Sequence, residues 1–231
     1  MSEQIQNMFD DISGSYDRLN DILSFGQHRS WKKKIAKMAV ESVTDNKYGG
    51  LYLDCATGTG DIADSILKQD PKGKVVALDF SPKMIEYAKS RHIGKDIDFH
   101  VHDIMNLPYS DSSFDAATIS FGIRNVDDPA LVISEMARVV RPDGKVIVLE
   151  TGQPEGLLGK AYRGVYKNVL PVVGGAIARN KSAYKYLPES AENFPYGKEF
   201  AYIMESTQRF STIKFQKQSF GVSYIYEGIV K

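Results

Sequence analysis

The 231-residue chain contains one cysteine, Cys55, and one tryptophan. A lone thiol excludes an intramolecular disulfide and leaves no Cys-x-x-Cys metal knuckle, which points to a reducing compartment. Histidines number only four. The pair His100-x-His102 lacks a nearby third ligand and makes a poor metal site, so no metal is expected. His92, His100 and His102 read instead as surface or strand residues. Long apolar runs are missing too. The best candidate, "VLPVVGGAIA" (169–178), is interrupted by a proline and two glycines and reaches only half of the ~20 residues of a membrane span. The opening "MSEQIQNMFDDISGSYD" carries acids and no apolar secretion core, so a cytoplasmic protein is expected. Excess charge of either sign is also absent, since 29 Lys and Arg balance 29 Asp and Glu. No aromatic-basic platform recurs, so nucleic acid is not expected as a partner.

What is present is ordinary globular material, 42% hydrophobic and 25% charged, in a chain long for one domain and short for two. Charge is uneven along it. The stretch between Gly156 and Pro188 holds Lys160, Arg163, Lys167, Arg179, Lys181 and Lys185 without an acid, and "HRSWKKKIAK" (28–37) is a second basic cluster. Residues 1–43 keep helical spacing. From residue 51 the pattern alternates. "LYLD" (51–54), "KVVALDF" (74–80), "IDFHVHD" (97–103), "FDAATISF" (114–121) and "GKVIVLET" (144–151) read as strands, with helices near 61–69, 82–92 and 129–141. "RPDGK" (141–145) reads as a turn ahead of the fifth strand. Such alternation predicts a parallel sheet covered by helices on both faces. After Thr151 come an interrupted helical segment (157–190), a helix around 197–208 and two β-rich runs that suggest a closing hairpin. The expectation is one α/β domain with the seven-stranded sheet of a Rossmann-like, class I methyltransferase. Its parts would be N-terminal helices (1–45), a cofactor core (50–152), a helical substrate- and membrane-facing segment (153–208) and the hairpin (209–231).

The stretch "LYLDCATGTGDIA" (51–63) carries the chemistry. A strand ends at Asp54, turns through Gly58, Thr59 and Gly60, and enters a helix at Asp61. Gly58 to Ala63 formally matches the dinucleotide fingerprint G-x-G-x-x-A. Charge decides between ligands. A pyrophosphate needs a helix N-terminus free of acid, whereas Asp54 and Asp61 flank this loop. S-adenosylmethionine has no phosphate and carries a sulfonium and an ammonium, so a carboxylate at the strand end suits it. Asp61 also reads as a simple helix cap. Asp79, about 20 residues beyond the glycines with Phe80 beside it, is placed for ribose hydroxyls. Asp103 and Ile104, after strand three, could hold the adenine amino group and ring face. Cys55 reads as packing.

Two longer stretches, "YDRLNDILSFGQHRSWK" (16–32) and "SFGIRNVDDPALVISEMARVVRPDGKVIVLETGQP" (120–154), with "YLPESAENFP" (186–195), resemble the UbiE/MenG quinone C-methyltransferase family over almost the whole chain. The resemblance implies S-adenosylmethionine-dependent methylation of a ring carbon of demethylmenaquinol or of a ubiquinone-precursor benzoquinol. "LETGQP" is closer to the menaquinone-type pattern. The family's cofactor contacts fall on the glycine loop including Ala63, on Asp79, on Asp103–Ile104 and on Ser120. The chain departs from the pattern at Leu19, at Asp143, which replaces a glycine, and at Tyr226, which stands where many relatives carry histidine.

Methylating an aromatic carbon requires a quinol hydroxyl to lose its proton, so that the ring carbon becomes nucleophilic. Arg124 and Asn125, after strand four, read as donors to the quinol oxygens, with Arg124 stabilising the oxyanion. The competing reading for Arg124 is an ion pair with Asp127 or Asp128. His28 is the leading candidate base, with Tyr16 and Asp17 in reserve, carried over the cofactor by the N-terminal helices acting as a lid. Leu158, Tyr162, Val165, Val169 and Val173 form an apolar stripe beside Lys160, Arg163 and Lys167, the pattern of a helix lying in a headgroup layer. The expected partners are thus a prenylated quinol and the inner membrane face, and a homo-oligomer is compatible with the sequence. Two other readings stay open: a methyltransferase for another small molecule, and a regulatory S-adenosylmethionine-binding protein without turnover.

Overall fold

The computed structural model describes residues 3–16, 20–21, 24–43, 47–154, 156, 159, 186 and 189–231. Asp17, Leu19 and the basic stripe of Leu158 to Val173 lie outside the described residues.

The strands are β1 (Leu51–Cys55), β2 (Lys74–Asp79), β3 (Ile97–Val101), β4 (Phe114–Ser120), β5 (Val140–Thr151), β6 (Phe210–Gln218) and β7 (Ser223–Val230). Among the described residues they form one seven-stranded sheet in the order β3-β2-β1-β4-β5-β7-β6. β1 to β5 pair in parallel, and the hairpin β6–β7 runs antiparallel against β5. Central strands read as apolar runs because both faces are covered. β1 and β4 are buried over nearly their whole lengths, while β6, at one edge, is mostly exposed.

The described helices are α1 (Glu3–Ile12), α2 (His28–Val40), α3 (Asp61–Gln69), α4 (Pro82–Arg91), α5 (Pro129–Val139) and α6 (Lys198–Ser206). α4 and α5 begin alike. A side-chain oxygen, Ser81 or Asp128, accepts an N–H of the first turn, and a proline follows, which satisfies an orphan donor and presets the helical φ. One sheet face is covered by α2, α3 and α4 through Trp31, Ile35, Ile66 and Ile85. The other is covered by α5 and α6 through Ile133, Met136, Phe200 and Met204.

One feature departs from expectation. The "RPDGK" turn is absorbed into β5, where the register shifts against β4 and Asp143 takes the left-handed backbone at φ 62°. Tyr226 is part of the core: its hydroxyl accepts the Gly197 N–H at 2.7 Å and its ring packs on Phe200. α1 lies along α4 and docks on the strand two terminus. Gln6 Nε2 donates to the Phe80 carbonyl at 3.2 Å, and Ser81 Oγ donates to Asp10.

Candidate active site

Parallel pairing brings the carboxyl ends of β1 to β4 to one sheet edge, where open α/β sheets hold their ligands. A cleft opens there, with about 590 Å³ of space between its walls, including the part open to solvent. Its sheet-side wall is built by Gly58, Asp79, Phe80, Asp103, Ile104, Ser120 and Asn125. The N-terminal segment closes the opposite side with Gln6, Phe9 and Tyr16. Tyr16, a reserve base candidate, therefore faces the cleft and lies against Phe9 at a ring separation of 6.1 Å.

Asp79 is held by backbone alone. Gly58 N–H donates to Oδ2 at 2.8 Å and Ser81 N–H to Oδ1 at 2.9 Å. Burial pushes its pKa up to about 6, against which those N–H donors pull it down. Gly58 has φ 56°, a conformation that suits glycine and turns its N–H toward the carboxylate. Asp103 Oδ1 accepts the Met105 N–H at 3.0 Å, and Ile104 presents an apolar surface next to it. Ser120 ends β4 with a buried hydroxyl that has no hydrogen-bond partner among the described residues. An unsatisfied buried hydroxyl costs about 1–3 kcal/mol, and a ligand in the cleft would remove that cost. Among the described residues no Lys or Arg lines the cleft, while Asp79 and Asp103 do. Such a wall disfavours a pyrophosphate and accommodates a cationic ligand, so the residues present fit S-adenosylmethionine.

Several expected contacts lie elsewhere. Asp54 is fully buried behind the cleft wall, where its carboxylate accepts Thr57 Oγ1 at 2.6 Å and Thr118 Oγ1 at 2.7 Å. Burial raises its pKa to about 6 although both hydroxyls favour the anion. It braces the loop instead of lining the cleft. Thr59, Gly60 and Ala63 are also behind the wall. Gly60, at φ 80°, would drive a Cβ to 2.8 Å from the His92 ring, and the Thr59 carbonyl accepts His92 Nε2 at 2.9 Å. His92 is thus a buried prop for the glycine loop, not a surface residue. Asp61 makes no side-chain cap, since Gly60 occupies the cap position. Burial would raise the Asp61 pKa, but ion pairs with Lys32 and Arg91, both at 3.1 Å, hold it below the usual range.

The two leading catalytic candidates are displaced as well. His28 is buried at the start of α2 with Nδ1 at 2.8 Å from Ser24 Oγ, outside the cleft. Burial first, then Lys32, lowers its pKa. Arg124 does not line the cleft either. It is paired, but not with Asp127 or Asp128: Nη1 donates to Glu150 Oε1 at 2.8 Å and to the Phe121 carbonyl at 2.6 Å. The two side chains are 6% and 1% exposed, so this is a buried ion pair joining β5 to the loop after β4. Asn125 remains on the wall, its Oδ1 accepting the Tyr186 hydroxyl at 3.1 Å. His102 was missed. It lines the cleft, with Nε2 donating to the Asn106 carbonyl at 2.8 Å, and its place directly before Asp103 was the available signal.

Comparison with known proteins shows the family. The model of the ubiE/COQ5 methyltransferase family matches residues 1–230. The chain is 42% identical to the ubiquinone/menaquinone biosynthesis C-methyltransferase UbiE of Bdellovibrio bacteriovorus, covering 99% of this chain and 97% of the relative. It is 39% identical to the demethylmenaquinone methyltransferase of Thermus thermophilus, over 96% of this chain and 99% of that one. A solved SAM-dependent methyltransferase of Thermotoga maritima, described as a possible histamine N-methyltransferase, shares the fold at a TM-score of 0.65 and 21% identity, covering 97% of this chain and 99% of that one. With the family model spanning nearly every residue, the chain belongs to the ubiE/COQ5 methyltransferase family.

Proposed function

We propose that this protein transfers a methyl group from S-adenosylmethionine to a ring carbon of a prenylated quinol, with demethylmenaquinol as the acceptor. The observation that carries the cofactor assignment is the cleft wall: two carboxylates, a partnerless hydroxyl and no described cation. The activities for which the Bdellovibrio and Thermus relatives are named support the acceptor class, and "LETGQP" (149–154) favours the naphthoquinol over a benzoquinol.

When bound, S-adenosylmethionine supplies an electrophilic methyl group on a sulfonium. In this reading Asp79 accepts the ribose hydroxyls, Asp103 accepts the adenine amino group, Ile104 covers the ring and Ser120 donates its hydroxyl. The acceptor lies between this wall and the N-terminal segment. Tyr16 and the Asn125 amide hold the quinol oxygens; the hydroxyl proton leaves through water, and the hydrogen of the methylated ring carbon is then lost as a proton while the oxygen is reprotonated, which restores the aromatic quinol. Orientation and oxyanion stabilisation supply most of the acceleration. The Arg124–Glu150 pair positions the Asn125 loop and touches no reactant. The whole chain works as one methyltransferase unit at the inner membrane face, because a prenyl tail keeps the acceptor in lipid. Among the described residues no helix is long and apolar enough to cross a membrane.

Incubation with methyl-labelled S-adenosylmethionine and a panel of reduced quinone precursors tests the proposal. Label is expected on a ring carbon of demethylmenaquinol. Absence of transfer to every quinol, or calorimetry showing tight NAD binding and none for S-adenosylmethionine, overturns it.

A further inference from the structure

Two large aromatics stand in water at neighbouring loop tips. Phe25, before α2, is 69% exposed, and Phe220, in the β6–β7 turn, is 80% exposed. Both hold left-handed backbone, at φ 50° and 59°, and Ser219 beside Phe220 does the same at φ 45°. Bulky residues avoid that region, and strained positions persist where the surrounding structure holds them and cluster at functional sites. Neither ring contributes to the core. The two tips are tied together: Ser219 Oγ donates to Gln27 Oε1, and Lys34 Nζ donates to Gln216 Oε1 at 2.9 Å.

The position is informative. Ser223 pairs with Thr151 at the carboxyl end of β5, so the Phe220 turn sits on the sheet edge that carries the cleft. Trp31 of α2 packs against Phe121, which lines the cleft, so the helix that follows Phe25 also backs the site. The surroundings are mainly basic. α2 (HRSWKKKIAKMAV) and β6 (FSTIKFQKQ) contain no acid. They expose Arg29, Lys33, Lys34, Lys214 and Lys217; Arg29 also pairs with Asp21.

We propose that Phe25 and Phe220 are wedges that insert into an anionic lipid bilayer, with the basic residues of α2 and β6 resting on its headgroups. Aromatic tips flanked by Lys and Arg are the composition that binds a lipid interface. Joining this face to a second copy would set lysine against lysine, which argues against a symmetric dimer. The inference rests on the proposed lipid-borne acceptor, and it gives the cleft a fixed orientation to the surface from which that acceptor comes.

The test uses the full chain and co-sedimentation with phosphatidylcholine vesicles, with and without phosphatidylglycerol. The parent is expected to bind the anionic vesicles at low salt and to release at high salt. The double variant Phe25→Gly/Phe220→Gly suits both backbone conformations, so it should fold as well as the parent while losing tenfold or more in vesicle affinity. Its turnover on a short-tailed quinol in solution should be unchanged. Vesicle binding equal to the parent's overturns the proposal. So does a concentration-dependent dimer in sedimentation velocity that the variant abolishes, because the patch then covers a second copy. Vesicle binding requires no methyl transfer, and parent turnover in solution requires no vesicle, so failure of either reading is seen separately.

Discussion

Two regions along one edge of the sheet bury carboxylates in different ways. At the ends of β1 and β2, Asp54 and Asp79 are held by neutral donors, hydroxyls in one case and backbone N–H groups in the other. At the end of β5, Glu150 is neutralised by Arg124. The first arrangement leaves acids with pKa values raised by burial to about 6. Such an acid gains from any further donor or cation that a ligand brings. The Arg124–Glu150 pair sets opposite charges against each other, so it fastens β5 to the loop after β4 and leaves Glu150 little to gain from a ligand. Of Asp54, Asp79 and Glu150, only Asp79 lines the cleft. Asp54 has the same shifted pKa but is sealed from the cleft, so an unusual pKa did not by itself identify the site.

Breaking the ion-paired region should have the largest effect. Arg124→Ala leaves Glu150 charged and buried, and about 3–5 kcal/mol of stability should be lost on chemical denaturation. Arg124→Ala combined with Glu150→Ala should lose less than Arg124→Ala alone, since no charge is then stranded. Unchanged stability in the single variant would return Arg124 to the substrate.

In the region of neutral donors, Asp79→Asn should weaken S-adenosylmethionine binding by about 1.5–3 kcal/mol, the size of a charge-assisted hydrogen bond, or roughly 10- to 100-fold by calorimetry. The melting temperature should move little, because the asparagine oxygen still accepts one backbone N–H. A fold that collapses instead would make Asp79 a structural acid like Asp54.

Acidity sharpens the same contrast. Ribose hydroxyls need the Asp79 anion, so affinity should fall by up to tenfold per pH unit below about pH 6. Asp79→Asn should flatten that profile. Stability of the free protein responds with the opposite sign. A folded pKa raised above the unfolded value contributes most below the usual carboxylate range, and the contribution of Asp54 and Asp79 is lost as pH rises through about 6. A profile that keeps its slope in the asparagine variant would assign the titration to another group.

The smallest effect belongs to the brace. Thr118→Val removes one of two hydroxyls on Asp54 and should cost about 1 kcal/mol in stability. The dissociation constant for S-adenosylmethionine should change less than twofold. A tenfold loss of affinity would bring Asp54 back into the binding site.

The strand and helix pattern was legible because burial on both faces makes the central parallel strands short apolar runs. β2, β3 and α3 start and stop within two residues of expectation. The places of Asp79, Asp103 and Ser120 on the cleft wall were legible for a related reason: each ends a strand or follows one at that sheet edge. Asp54 and Arg124 were misplaced because sequence order shows that a side chain ends a strand or enters a loop, but not which way it points. Thr118, 64 positions beyond Asp54, and Glu150, 26 beyond Arg124, supply the partners that turn them inward. His28 failed similarly, since a titratable ring near a basic cluster says nothing of the Ser24 hydroxyl that holds it. His92 and His102 seemed bland because their partners are backbone carbonyls.

The docking of α1 has a thermodynamic consequence. Gln6 and Asp10 hold the helix on Phe80 and Ser81, and Phe9 of the same helix is part of the cleft wall. Any ligand that touches both Asp79 and Phe9 binds the docked form better than the undocked one. By reciprocity, the helix is then bound more tightly by exactly as many kilocalories as it adds to the ligand. The amide hydrogens of residues 3–12 therefore report occupancy of a site to which they contribute few atoms, exchanging slowly in the liganded protein and quickly in the free one.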